Sequence, residues 1–226
     1  MCRLAGSVGR RHIVSMMKLF YAPGACSLSP HIALREAGLP FELVRVDFLR
    51  GKALAGGGTL ADVNPNGYVP ALRLDDGNLL TEGVAIAQYI ADVSPFSNLA
   101  PPLGTFERVR LWELLNFIAT ELHKGMSPLY AKTAGAEYQQ SVRDKLAARF
   151  AHLATILGDR PFLTGDRFTI ADGYALYTIR AAQRLKLPLP GALLDYQLRI
   201  EARPAVRDAL EAEGLRPYAA ASTTAA

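Results

Sequence analysis

The sequence predicts an α/β unit followed by an all-helical one, and three observations predict it. Short strand-like runs punctuated by turns fill the chain up to Ser94, they vanish beyond Pro101-Pro102, and from there apolar residues recur only at helical spacing. Of the 226 residues, 50% are hydrophobic and 20% charged, the composition of a folded globular chain and not of a disordered one. No apolar run reaches the roughly 18 to 20 residues of a membrane helix, so a spanning protein is not expected. The 25 basic and 21 acidic residues are interspersed, which gives little sign of a nucleic-acid partner. Only Cys2 and Cys26 carry thiols, which excludes a disulfide framework and a zinc site built on several thiolates. A reducing compartment, the cytoplasm, is expected.

Residues 1–16 hold Arg3, Arg10 and Arg11, no acid and little periodicity, and read as a disordered leader before Met17. Lys18-Leu19-Phe20-Tyr21 is a strand, closed by Ala22-Pro23-Gly24, and Ser27-Leu28-Ser29-Pro30 opens a helix that Gly38 ends. Residues 41–48 alternate as a second strand, and Gly56-Gly57-Gly58 begins a loop. A short helix over residues 59–63, the turn Asn64-Pro65-Asn66-Gly67 and a strand from Val69 to Leu74 follow. Asp75-Asp76-Gly77-Asn78 is a hairpin turn, so the strands flanking it must be antiparallel, and a helix runs from Thr81 to Asp92. This βαβ-ββα order over about eighty residues is that of a thioredoxin-like domain. The expected division is residues 17–94 for this domain, 95–104 for a linker, 105–218 for the all-helical domain and 219–226 for a disordered tail. In the helical part, Leu111, Leu114, Leu115, Ile118 and Leu122 share one face, as do Val142, Leu146, Phe150, Leu153 and Leu157. Thr169-Ile170-Ala171-Asp172 has the form of a capping box, an N-cap hydroxyl with an acid three positions on.

Four blocks, in order, make the chain resemble the bacterial beta class of the glutathione transferases. They are Phe20-Tyr21-Ala22-Pro23-Gly24-Ala25-Cys26-Ser27, Asn64-Pro65-Asn66-Gly67-Tyr68-Val69-Pro70-Ala71-Leu72, Leu80-Thr81-Glu82-Gly83-Val84-Ala85-Ile86, and Ala119-Thr120-Glu121-Leu122-His123-Lys124-Gly125. The resemblance runs from Met17 to about Tyr218. It implies glutathione as co-substrate in the first domain, a small apolar electrophile between the domains, and a homodimer.

The chemistry of each block can be read separately. Cys26 stands where a strand gives way to a helix, near unpaired backbone donors and the positive end of a helix dipole, which should favour a thiolate. The resemblance places Cys26 beside the glutathione sulfur, with Ser27 as a neighbouring hydroxyl donor and Tyr21 as a rival donor to the thiolate. Val69-Pro70 is expected to be cis, presenting the Val69 N–H and C=O to the cysteinyl unit of glutathione as an added strand would. Tyr68 stands where the beta pattern more often has Gln. Glu82 supplies a charge for the γ-glutamyl amine, and Gly83 opens a helix whose free N–H groups suit the γ-glutamyl carboxylate. Asn116, Thr120, His123 and Lys124 are spaced by four, seven and eight residues and fall broadly on one side of a helix. With the resemblance, His123 joins Cys26, Ser27 and Tyr21 as a candidate catalytic group, while Lys124, Asn116 and Lys52 join Val69, Pro70, Glu82 and Gly83 as candidate glutathione contacts. His31 and His152 have no partners at metal-ligand spacing, so no metal and no cofactor besides glutathione is expected.

The reaction these residues suggest is conjugation of the glutathione thiolate to an electrophile. Two alternatives stand beside it: thiol-disulfide exchange, because Cys26-Ser27-Leu28-Ser29 has the C-x-x-S form of a one-cysteine glutaredoxin, and a silent binding protein that kept the fold.

Overall fold

The computed structural model describes residues 16–131, 133 and 135–218; the expected leader up to residue 15 and the tail from 219 lie outside them. Two apolar strand runs, a short third strand and one hairpin build the first half. Strand β1 (Met17–Tyr21) leads through a turn into helix α1 (Leu28–Glu36), then β2 (Phe41–Asp47), a two-residue β3 (Ala53–Leu54), β4 (Ala71–Arg73), β5 (Leu79–Thr81) and helix α2 (Gly83–Val93). The sheet has the order β3-β2-β1-β4-β5. β1 and β2 run parallel, with Leu19 opposite Leu43, and β4 and β5 run antiparallel about the Asp-Gly turn, as its geometry demands. Strand β3 is a fifth strand that the sequence hides: two residues beside three glycines carry no alternation to detect.

Pleating sends β1 side chains to two cores. Leu19 and Tyr21 pack with Leu72, Ile32 and Ile86 under α1 and α2, while Phe20 packs with Val46, Leu60 and Ala71 on the other face. The expected helix over residues 59–63 is a single 3-10 turn, Leu60–Asp62, capped by Thr59 and Asp62.

The second half is helical throughout: α3 (Phe106–Phe117), α4 (Ala136–Leu157), α5 (Ile170–Arg184), α6 (Gly191–Glu201) and α7 (Pro204–Ala212). Helix α5 is buried along nearly its whole length and packs on α1. Gly173 lies at this contact, where a Cβ would sit 3.5 Å from Cγ2 of Ile32, an ordinary packing distance. The Thr169–Asp172 capping box is present. Buried Arg108 of α3 reaches back to Asp92 at 2.9 Å, tying the end of α2 to the helical half.

One element departs from the expected periodicity. After α3 the chain widens into a π-helical turn, Ile118–His123, in which the Lys124 N–H reaches the Ala119 carbonyl five residues back, and then tightens into 3-10 turns to Tyr130. Thr120 contributes, because its hydroxyl donates to the Asn116 carbonyl at 3.0 Å, a contact that competes with regular helix bonding.

Candidate active site

Five segments separated in sequence meet at one cleft of about 390 Å³. Its lining includes Cys26 from the β1–α1 turn, Val69 and Pro70 before β4, Glu82 and Gly83 at the start of α2, and His123, Lys124 and Tyr174 from the helical half. The size suits a small-molecule ligand.

Each segment is held by its own local chemistry. The turn before α1 is closed by Ser27, whose buried hydroxyl accepts from the Ala22 N–H at 3.2 Å and donates to the Ala22 carbonyl. The Val69-Pro70 peptide is cis, and buried Asn64 fixes the approach to it by donating to the Tyr68 carbonyl at 2.8 Å and accepting from the Asn66 N–H. The thiol of Cys26 donates to the Val69 carbonyl at 3.2 Å, joining the first two segments. Glu82 adopts φ +65° ahead of α2 with no side-chain cap bond, a backbone state that a non-glycine residue rarely takes and that is found at ligand sites more than elsewhere. His123 pairs through Nδ1 with the Tyr174 hydroxyl at 2.8 Å and packs edge-on against Tyr177.

Burial governs the electrostatics. It pushes the Cys26 thiol up to about 11, and Glu82 adds to the rise, against the backbone N–H groups of Cys26 and Ser27 and the charge of Lys124. The expectation of a thiolate at this helix start is therefore corrected: the loss of water outweighs the helix end. Burial, helped by Lys124, holds His123 down at about 4, so its ring is neutral at pH 7. Burial likewise raises the phenols of Tyr174 and Tyr177.

Of the residues singled out from the sequence, Cys26, Val69, Pro70, Glu82, Gly83, His123 and Lys124 line this cleft, and four do not. Ser27 is turned inward to close its turn. Tyr21 points into the core beneath α1, beside His31, because the β1 pleat sends it there, and burial first, then Glu213, raises its phenol. Asn116 lies in a separate depression with Val84, Gln88 and Trp112: the π turn rotates His123 and Lys124 away from the stripe that a regular helix would have made. Lys52 donates to the Gly67 carbonyl at 2.7 Å, outside the lining. Sequence reasoning passed over Asn64 and Tyr174 as site residues, yet both line the cleft; nothing in the spacing of Tyr174 marks its hydroxyl. Among the described residues no group of three His, Cys, Asp or Glu is placed to hold a metal ion, and no helix is long and apolar enough to cross a membrane.

A family model described as the N-terminal domain of glutathione S-transferase matches residues 24–93, and one described as the C-terminal domain matches residues 130–212. The chain belongs to the glutathione S-transferase family. Among its relatives, this transferase is 48% identical over 202 residues to glutathione S-transferase GstA of Escherichia coli O157:H7, covering 88% of this chain and 100% of that one. The ternary complex of BphK, a bacterial GST, superposes with a TM-score of 0.84 at 50% identity, covering 88% of this chain and all of that one. A sphingomonad glutathione S-transferase solved with glutathione gives 0.83 at 42% identity and the same two coverages. The bacterial beta class transferase of Sphingomonas chungbukensis gives 0.81 at 40%, again over 88% of this chain and all of that one, in keeping with the beta-class features of the present transferase.

Proposed function

We propose that this transferase conjugates the thiolate of glutathione to small apolar electrophiles in the Cys26 cleft, as a homodimer in the cytoplasm. The observation that carries the reading is the convergence of Cys26, Val69, Glu82, Gly83, His123 and Lys124, drawn from both halves of the chain, on a single cleft. That set meets a zwitterionic peptide with a partner for each part. Glu82 faces the γ-glutamyl amine and the N–H groups opening α2 face its carboxylate. Val69 offers backbone groups to the cysteinyl unit, and Lys124 offers charge to a carboxylate or to the sulfur. Held near 11, Cys26 carries its proton at pH 7, so it acts as a hydrogen-bond donor to the glutathione sulfur and not as the attacking group. Neutral His123 and the Tyr174 hydroxyl stand beside it as further polar groups. Thiol-disulfide exchange is the second reading, favoured by a thiol that opens onto the cleft but disfavoured by the same protonation.

The test is the initial rate of glutathione conjugation to a chlorodinitrobenzene, in the parent and in Cys26→Ala. Conjugation that persists in the variant supports the reading. Disulfide reduction by the parent alone, without conjugation by either form, moves the assignment to thiol exchange.

A further inference from the structure

The turn that carries Cys26 is gripped from the far end of the chain. The Gly24 N–H donates to Oε2 of Glu213, just past α7, at 2.9 Å, and the Gly24 carbonyl accepts from Arg184, the last residue of α5, also at 2.9 Å. Gly24 has φ +68°, a backbone state that residues with a side chain rarely adopt, so the clasp closes on a glycine. The other oxygen of Glu213 accepts from Nδ1 of His31 at 2.9 Å, and the side chains of His31 and Glu213 are both 0% exposed.

The proton on His31 is placed by its second neighbour. Nε of Arg35 lies 2.9 Å from Nε2 of His31, and a guanidinium N–H can only donate, so Nε2 accepts and Nδ1 carries the hydrogen that Glu213 receives. Glu213 thus meets a donor on each oxygen. Only a carboxylate accepts on both oxygens without offering a hydrogen. An amide at this position turns its NH2 toward either the Gly24 N–H or the His31 Nδ1–H, donor against donor. Moving the imidazole proton gives no relief, because Nε2–H would then face the Arg35 N–H.

We propose that Glu213 is a positioning residue for Cys26, holding the thiol's turn from both flanks through Gly24 on one oxygen and through the Arg35-oriented His31 on the other. Gly24 precedes Cys26 by two residues and His31 follows it by five, so the two contacts bracket the thiol that donates to Val69. Its effect on turnover rests on the glutathione reading above; its effect on the thiol does not.

The experiment uses the full chain with Cys2→Ser, which leaves Cys26 as the single thiol. Two quantities are read: the rate of Cys26 alkylation by iodoacetamide in the folded protein, and kcat and KM for glutathione with a chlorodinitrobenzene acceptor. Glu213→Gln is expected to speed alkylation about tenfold, as the turn frees the thiol from Val69, and to lower kcat about tenfold with KM for glutathione within about twofold. Adding Arg35→Gln, which puts a carbonyl where the guanidinium stood, lets His31 carry its hydrogen on Nε2 and accept from the amide at position 213. Alkylation then returns toward the parent rate. A merely structural role lowers the melting temperature but leaves alkylation and kcat of the folded protein unchanged. Parental alkylation in Glu213→Gln, or no recovery in the double variant, overturns the proposal. Should Glu213→Gln not fold, Arg184→Met loosens the other side of Gly24; faster alkylation there supports the clasp, and a parental rate overturns it. If no form conjugates, the glutathione reading fails while the alkylation series still decides the clasp.

Discussion

Replacing Asp172 with alanine should cost this transferase a large part of its stability without touching the cleft. The Asp172 carboxylate is wholly buried at the start of α5, and it accepts from the Leu163 N–H at 2.9 Å, the Thr169 N–H at 2.7 Å, the Thr169 hydroxyl at 3.1 Å and the Tyr196 hydroxyl at 2.7 Å. Thr169 can redirect its hydroxyl, since that of Thr164 lies 3.3 Å away. The other three donors have no second acceptor in these contacts, and an orphaned buried donor costs about 1–3 kcal/mol, which sums to about 3–9 kcal/mol. Against a typical total of about 5–15 kcal/mol, that brings the protein close to unfolding at 37 °C. Urea unfolding followed by circular dichroism measures the loss, and the melting temperature should fall by roughly 10–30 °C. Asp172→Asn should lie between, because one amide oxygen can serve Leu163 and Tyr196 while its NH2 faces the Thr169 N–H. A loss below about 1 kcal/mol in the alanine variant would refute the reasoning: it would mean that water or a shifted α5 satisfies these donors.

Three further outcomes follow from the site. His123 is held near 4 in the folded state against 6.5 when free, so the unfolded chain binds its proton first and stability falls as pH drops from 6.5 toward 4. Between pH 7 and 5 this amounts to about 2 kcal/mol, and His123→Gln should remove that share of the acid sensitivity in urea titrations. With its thiol near 11 against an ordinary 9.0, Cys26 of the ligand-free protein should react with iodoacetamide about 100-fold more slowly at pH 7 than an unburied thiol, and a rate matching a free thiol would contradict the burial argument. Glu82→Ala should weaken glutathione binding by about 10- to 100-fold in calorimetry, the worth of a charge-assisted hydrogen bond, and unaltered affinity would remove Glu82 from the γ-glutamyl role.

The sequence by itself determined what depends on neighbours along the chain. The Asp-Gly turn dictated an antiparallel pair, the Thr169–Asp172 spacing dictated a helix start, and periods of two and 3.6 separated the strand-bearing half from the helical one. The residues bordering turns, Cys26, Val69-Pro70 and Glu82-Gly83, were legible because each sits at a punctuation mark where a strand ends or a helix begins. Only the tertiary structure decided the rest. Tyr21 and Ser27 read as donors until the pleat of β1 and the closure of one turn directed them inward. Asn116 left the stripe because a π turn adds a residue to the helical repeat, and Tyr174 entered the cleft because α5 packs against α1. Cys26 keeps its proton because residues from distant segments exclude water around it. Its turn is clasped by Glu213, 187 positions further along the chain, a contact that no local pattern encodes. Desolvation and long-range hydrogen bonding are sums over neighbours in space, and those neighbours exist only once the chain has folded.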